Sequence, residues 1–293
     1  MAKIIVIKGT SGTGKGTRVV QFIEWLRTKL NPEELTYTIG EKTRLFGLKF
    51  EELKLIFVGQ YTVSNKSGLA SWTSMDGVHA ATGSGDITRD LLKSWLDKGY
   101  SLVCEGEPLM LSDKWRPEWM FKNYPIETLS MLYFAYPDRY QYDARIRGRS
   151  GKEAGDSGWS RNESYAKEFE KSKDEMKALG WKIVVDQYSG QDVLMDNSAG
   201  DHRAELAMLP FDAPLMVVGN AILFQLGAFR KPNGLSSEDF YKYCDEHPMT
   251  REVGGADPLA HRVPPKPGAA KKADKKAVVK TASTNILERL KGK

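Results

Sequence analysis

A chain of 293 residues, 41% hydrophobic and 10% aromatic, is long enough to bury a large α/β core and too apolar for a disordered polymer. Its two cysteines, Cys104 and Cys244, supply neither a disulfide framework nor a spaced metal set, which points to a reducing, cytosolic setting. The formal charge of +5 is lopsided: residues 260–293 carry ten Lys and Arg against two acidic residues, a net of +8, and leave −3 on the rest, which argues against a basic face spread over the folded body.

Residues 3–7 (KIIVI) read as a buried strand running straight into the glycine-rich stretch GTSGTGKGT at 9–17. That apolar run is too short for a signal peptide. The next 14 residues, Thr17 to Leu30, set Val19, Val20, Phe22, Ile23, Leu26 and Leu30 on one helical stripe, and Asn31-Pro32 ends it. A short strand is predicted at 36–39, ending at Gly40-Glu41, and strand character returns at 54–63. The Gly-, Ser- and Thr-rich stretch 64–85 predicts a long loop or active-site insertion. A helix follows over 86–98, then a strand at 101–104 ending in EGEP, and a strand at 128–135. Beyond these come a helix over 138–149, a glycine-rich loop at 150–160, a helix over 163–179 and a last core strand at 182–186.

Strands alternating with helices predict an α/β three-layer sandwich, a parallel sheet with helices on both faces and ligands at the carboxyl ends of its strands. Residues 1–186 are expected to form the main domain, with the insertion at 64–85 and a lid at 138–160. Residues 187–259 form an extension of unassigned fold, with a serine-capped helix at 236–244. The apolar run at 214–229 carries Asn220 and Gln225 and falls short of the ~20 residues a membrane helix needs. Residues 260–293 are low-complexity and expected to be disordered.

The pattern Gly9-x4-Gly14-Lys15, after a strand and before a helix, is a phosphate-binding loop in its expected context. Glycines let the backbone take positive φ and approach the phosphates, and the N–H groups of Gly9, Thr10, Ser11, Gly12, Thr13, Gly14, Lys15, Gly16 and Thr17 make an anion nest at a helix N-terminus. Lys15 neutralises the outer phosphates. The ligand expected is ATP with Mg2+, although the residues do not separate ATP from GTP. Gly16 follows Lys15 where a Ser or Thr usually offers magnesium a hydroxyl, so Thr17 or water takes that place. The loop GxxGxGKGT resembles that of adenylate-kinase-type nucleoside monophosphate kinases. Asn65-Lys66 lacks the aspartate that guanine recognition would want two places on.

Arg145 and Arg149, spaced i,i+4, share a helix face and suit a lid closing over a phosphoryl group in transfer. The competing reading is a solvated helix pairing with Asp143 or Glu153. Glu105 ends a buried strand beside the loop and is a candidate for holding magnesium or its waters; Glu107 alternates to the same side, and Glu41 takes another strand-end position. In the insertion, Trp72 could stack on a planar acceptor and Asp76 serve as general base on a hydroxyl. Alternatively, Trp72 packs into the core and Asp76 caps the turn at Gly77. His79 reads as structural. Arg89, on the following helix, could hold an acceptor phosphate.

The loop at 9–17, the EGEP strand end and the Arg145/Arg149 lid resemble the P-loop kinase superfamily over residues 1–186. GTSGTGKGT, the segment GQYTVSNKSGLASWTSMDGVH and EGEP together resemble the bacteriophage 5-hydroxymethyluracil DNA kinases of thymidine hypermodification. That resemblance implies ATP-magnesium on residues 9–17 and, as partner, DNA carrying a modified pyrimidine that is flipped out or single-stranded. It further implies Trp72 stacking on the base, Asp76 orienting or deprotonating its hydroxymethyl oxygen, Glu105 on magnesium waters, Arg145 and Arg149 over the γ-phosphoryl group, and a host-cytoplasm setting. The residues themselves leave open a soluble nucleoside or nucleotide kinase and a DNA-bound ATPase switch with no phosphoryl acceptor.

Overall fold

The computed structural model describes residues 2–61, 74–107, 111–124, 129–185, 204–226 and 234–248. In chain order the elements are β1 (Ile4–Gly9), α1 (Lys15–Arg27), β2 (Glu33–Ile39), β3 (Lys42–Phe50), β4 (Leu55–Val58), α2 (Met75–Thr82), α3 (Gly85–Asp97) and β5 (Ser101–Gly106). They continue with α4 (Pro117–Asn123), β6 (Leu129–Ala135), α5 (Arg139–Ser150), α6 (Asp156–Ala178), β7 (Lys182–Val185), β8 (Glu205–Pro210), α7 (Leu215–Leu226) and α8 (Ser237–Glu246).

Among the described residues one eight-stranded sheet organises them in the order β2-β3-β4-β5-β1-β6-β8-β7, with β3 antiparallel to its neighbours and every other pairing parallel. Alternation along β1 explains its wholly apolar sequence. Ile5 and Ile7 enter a core layer with α1, α7 and α8, while Ile4 and Val6 enter the opposite layer with α2, α3, α4 and α6. This is the expected three-layer sandwich. Helix starts follow local chemistry: the Ser74, Asp138 and Ser236 side chains accept from the backbone N–H of Asp76, Gln141 and Asp239.

Four stretches differ from expectation. Residues 42–50 form β3, so Gly40 and Glu41 make the turn of a β2–β3 hairpin rather than a free strand end. The stretch expected as a loop at 64–85 contains α2, capped by Ser74 and stopped at Gly83 (φ +66°), whereas residues 62–73 lie outside the described ones. Helix α6 begins at Asp156, which shortens the expected glycine loop to the residues before it. The boundary expected at 186 does not divide the sheet: β8 lies between β6 and β7, and α7 packs on α1.

Gly219 of α7 sits so close to α8 that a Cβ there would lie 2.0 Å from Phe240 Cζ, and Asn220 Nδ2 donates to Tyr241 Oη at 3.2 Å. The apolar run around α7 is therefore a core helix in which the Asn220 amide nitrogen finds a partner, while among the described residues its buried Oδ1 has none. Among the described residues no helix is long and apolar enough to cross a membrane. The chain splits into compact units 1–254 and 255–293, and the second, with the basic tail, lies outside the described residues.

Candidate active site

The glycine loop joins the end of β1 to the start of α1 at the sheet's centre. Gly12 and Gly14 take φ of +84° and +74°, left-handed values that L side chains resist. Gly9 (φ +152°) is also confined by space: a Cβ there would come within 2.6 Å of the Phe134 carbonyl oxygen on β6. Lys15, 6% exposed, folds back over the loop, donating to the Thr10 carbonyl at 3.2 Å and lying 3.7 Å from Glu105 Oε1. Gly16 and Thr17 form the first turn of α1, both half-buried.

Three carboxylates gather at the end of β5. Glu105, 5% exposed, has its carboxyl pushed up to about 7 by burial, against the attraction of Lys15 and with the help of Asp76 and Glu107. A side chain at Gly16 would place its Cβ 3.6 Å from Glu105 Oε2, so Glu105 stands where a hydroxyl at position 16 would otherwise project. Glu107 accepts from Ser11 Oγ at 2.6 Å and Thr10 Oγ1 at 3.1 Å. Burial works to raise its pKa, but Lys15, Ser11 and Arg161 outweigh it and hold the carboxyl below the usual range. Asp76, in the first turn of α2, accepts the Glu107 backbone N–H on Oδ2 at 2.7 Å. Its carboxylate lies about 3.2 Å from where a Cβ on Gly106 would be. Among the described residues no group of three or more His, Cys, Asp or Glu forms a ready-made metal cage. Glu105 offers instead a single buried, hard oxygen donor beside the loop, which suits a cation carried in largely by phosphate oxygens.

The arginines approach from α5 and α6. Arg145 Nε donates to the Gly12 carbonyl at 3.4 Å, which sets this arginine against the loop. Its neighbours pair as a solvated helix would, Arg139 with Asp143 at 2.6 Å and Arg147 with Glu153 at 3.1 Å. Arg149 is on the same helix; its side chain lies outside the described ones.

Sequence reading missed two further arginines. Arg161 Nε on α6 lies 2.9 Å from Glu107 Oε1, close enough for strong attraction although misaligned for a hydrogen bond. Arg18, 1% exposed, donates to the carbonyls of Thr13, Phe211 and Ala213 at 2.7, 2.9 and 2.5 Å, binding the loop to the turn after β8. Its place three residues after Lys15, on the buried stripe of α1, was the available signal.

Other expected site residues are not brought together. Glu41 is exposed in the hairpin turn, with β3, β4 and β5 between its strand β2 and the central β1. Arg89 pairs with Asp86 and lies 5.7 Å from the Trp119 ring centroid, on the α3–α4 side. His79 is part-buried near it, and among the described residues its buried Nδ1 has no hydrogen-bond partner. Trp72 lies outside the described residues.

A glycine loop at a helix N-terminus with a buried lysine, an arginine against it and carboxylates beside it holds the kinds of group that moving a phosphoryl group requires. The molecule is a phosphotransferase of P-loop-like build. Comparison of the whole chain narrows this: a family model for 5-hmdU DNA kinase 2 matches residues 1–290, and the chain belongs to that family. It is 76% identical over 298 residues to 5-hmdU DNA kinase 2 of Salmonella phage ViI, with 98% of each chain covered.

Proposed function

We propose that the protein transfers the γ-phosphoryl group of ATP to the hydroxymethyl oxygen of 5-hydroxymethyluracil in DNA. The observation that carries this reading is the pairing of a phosphate loop with Asp76, a carboxylate held to the end of β5 by the Glu107 N–H at 2.7 Å. Family membership gives the acceptor its identity.

The triphosphate lies along residues 9–17, its charge met by backbone N–H groups and Lys15. Asp76 takes the proton of the hydroxymethyl group as its oxygen bonds to the γ-phosphorus. The bond to the β–γ bridging oxygen breaks, and ADP leaves with that electron pair. Arg145 moves from the Gly12 carbonyl onto the equatorial oxygens, with Arg149 one turn further along α5. Magnesium, when bound, offsets charge on the β- and γ-phosphate oxygens; Glu105 and Thr17 are the residues that would hold it or its waters. The base must leave its stack to reach the site, and Trp72 is proposed to receive it.

A label-transfer assay tests the reading. Full-length protein, γ-labelled ATP and magnesium are offered 5-hydroxymethyluracil DNA, thymine DNA and free nucleosides and nucleotides in parallel. Label on the hydroxymethyluracil DNA alone is the expected result. Label on a free nucleotide, or ATP hydrolysis with no labelled acceptor, overturns it.

A further inference from the structure

We propose that the β2–β3 hairpin is a DNA-docking arm that grips the phosphate backbone of the substrate duplex through Lys42 and Arg44. The inference rests on DNA being the acceptor, and it assigns a surface that the phosphoryl-transfer site does not use.

The register of the sheet makes the arm. Pairing between β3 and β4 runs from Phe50↔Leu55 to Gly47↔Val58 and is extended by one bond from Gly59 N–H to the Phe46 carbonyl at 2.9 Å. Residues 42–45 continue past that point paired only with β2 among the described residues, an overhang of about 13 Å at ~3.3 Å per residue. Because β4 is parallel to β5 and β5 to β1, the overhang projects from the edge of the sheet that carries the phosphate loop and Glu105. Gly40 (φ +58°) supplies the positive φ that the two-residue turn needs.

The tip is built for a polyanion. Lys42, Thr43 and Arg44 are all exposed. At the base of the hairpin the cations are already neutralised, Lys49 by Glu33 and Glu51, and Lys54 by Glu51. Among the described residues Lys42 and Arg44 are in no such pair, and alternation sets both on one face, across the strand pair from Ile39 and Tyr37. On the other face the Thr38 and Thr43 hydroxyls meet at 3.1 Å, a cross-strand bond that stiffens the arm. Glu41 is the one acid at the tip, which leaves residues 38–44 with a net charge of +1 on a body that is net negative.

The arm is coupled to the chemistry. Leu35, Tyr37 and Phe46 of the hairpin share a core layer with Met75 and Val78 of α2, and Tyr37 Oη donates to the Val78 carbonyl at 3.5 Å. Asp76, the proposed base, lies in the first turn of that same helix. A duplex seated on Lys42 and Arg44 is therefore held at a fixed offset from the carboxylate that must meet one of its bases.

The test compares full-length protein with the K42A/R44A double variant on a fluorescent duplex containing 5-hydroxymethyluracil. Loss of two phosphate contacts lowers the slope of log Kd against log salt by about 2, and weakens binding and raises KM for DNA roughly tenfold near physiological salt. ATP affinity and kcat at saturating DNA stay within twofold, and the charge-preserving K42R/R44K variant restores the slope. An unchanged slope and KM in a folded double variant overturn the arm. Failure of the wild type to phosphorylate any DNA instead overturns the acceptor assignment, and the binding slope still reports on the arm.

Discussion

Glu105 and Glu107, two positions apart at one strand end, are driven in opposite directions. Burial lifts Glu105 to about 7 from 4.5, so the folded state keeps a proton that the unfolded chain releases first. Stability from this group is fully present below the unfolded value and declines as pH rises from about 4.5 towards 7. In magnesium-free buffer, Glu105→Gln is expected to raise Tm at pH 8, with the gain vanishing by about pH 5; with Glu105 proposed to hold magnesium or its waters, the variant is also expected to lose activity. Thermal melts across pH check the sign. Glu107, held low by Lys15, Ser11 and Arg161, contributes the reverse: its stability is lost as pH falls. Asp76→Asn keeps an oxygen to accept the Glu107 N–H but no basic group, so kcat should fall about 10²- to 10⁴-fold with ATP binding within a few-fold. Single-turnover kinetics and ATP titration together check that. If the rate survives, the base is elsewhere. The loop and its Lys15 are legible in the sequence because they are contiguous, so their spacing alone marks them as a phosphate-loop pattern. Arg161 was illegible because its partner Glu107 lies 54 positions away, and nothing local marks it from the other charges of α6.

Helix α6 acts as a strut between the sheet and the site. At one point Asn162 satisfies both backbone groups of Tyr136, accepting from its N–H at 2.9 Å and donating to its carbonyl at 3.1 Å. Further along, Glu168 receives Lys8 Nζ at 2.6 Å and Tyr133 Oη at 2.5 Å. Lys8 is wholly buried one residue before the glycine loop; burial lowers its pKa and Glu168 works to raise it again. Glu168→Ala strands that ammonium and should cost about 3 kcal/mol in urea unfolding, whereas Lys8→Met with Glu168→Leu should recover most of the loss. Equal destabilisation by the single and double variants would show that the cost comes from losing the pair itself and not from an ammonium left without its counter-charge. Helices with a long amphipathic stripe, such as α1, and those with a polar cap at the expected place, such as α8, were legible. Helix α2 was not, because eight residues containing Gly77 and Thr82 carry little helical pattern. It exists because Met75 and Val78 pack under the sheet and Ser74 caps its start. Strand β3 was hidden in the same way: its outer half is polar and its burial depends on β2 and β4.

At the scale of the whole molecule, the sheet does not close until β8 is in it. A chain ending at residue 186 should therefore fail to give a cooperative melt, because it lacks β8, α7 and α8, whereas a chain ending at 254 should melt cooperatively and bind ATP. Circular dichroism of the two truncations distinguishes these outcomes. Removing residues 255–293 takes away the charge of +8 carried by 260–293, so DNA binding by the shorter chain should be weaker and less salt-sensitive. Sequence reading placed the domain end at 186 because strand–helix alternation lapses there; β8, six residues between unpatterned stretches, gives no periodicity of its own. The insertion of β8 between β6 and β7 also sets an order of assembly. On the ribosome β7 emerges first, yet among the described residues its one strand partner is the later β8. Until residues 205–210 arrive, the apolar strand LSMLYFA of β6 presents an open edge, ready to pair with a neighbouring nascent chain. The yield of soluble protein in the cell should thus depend on how quickly translation crosses the stretch between β7 and β8, and chaperones that shield strand edges should matter most during that interval.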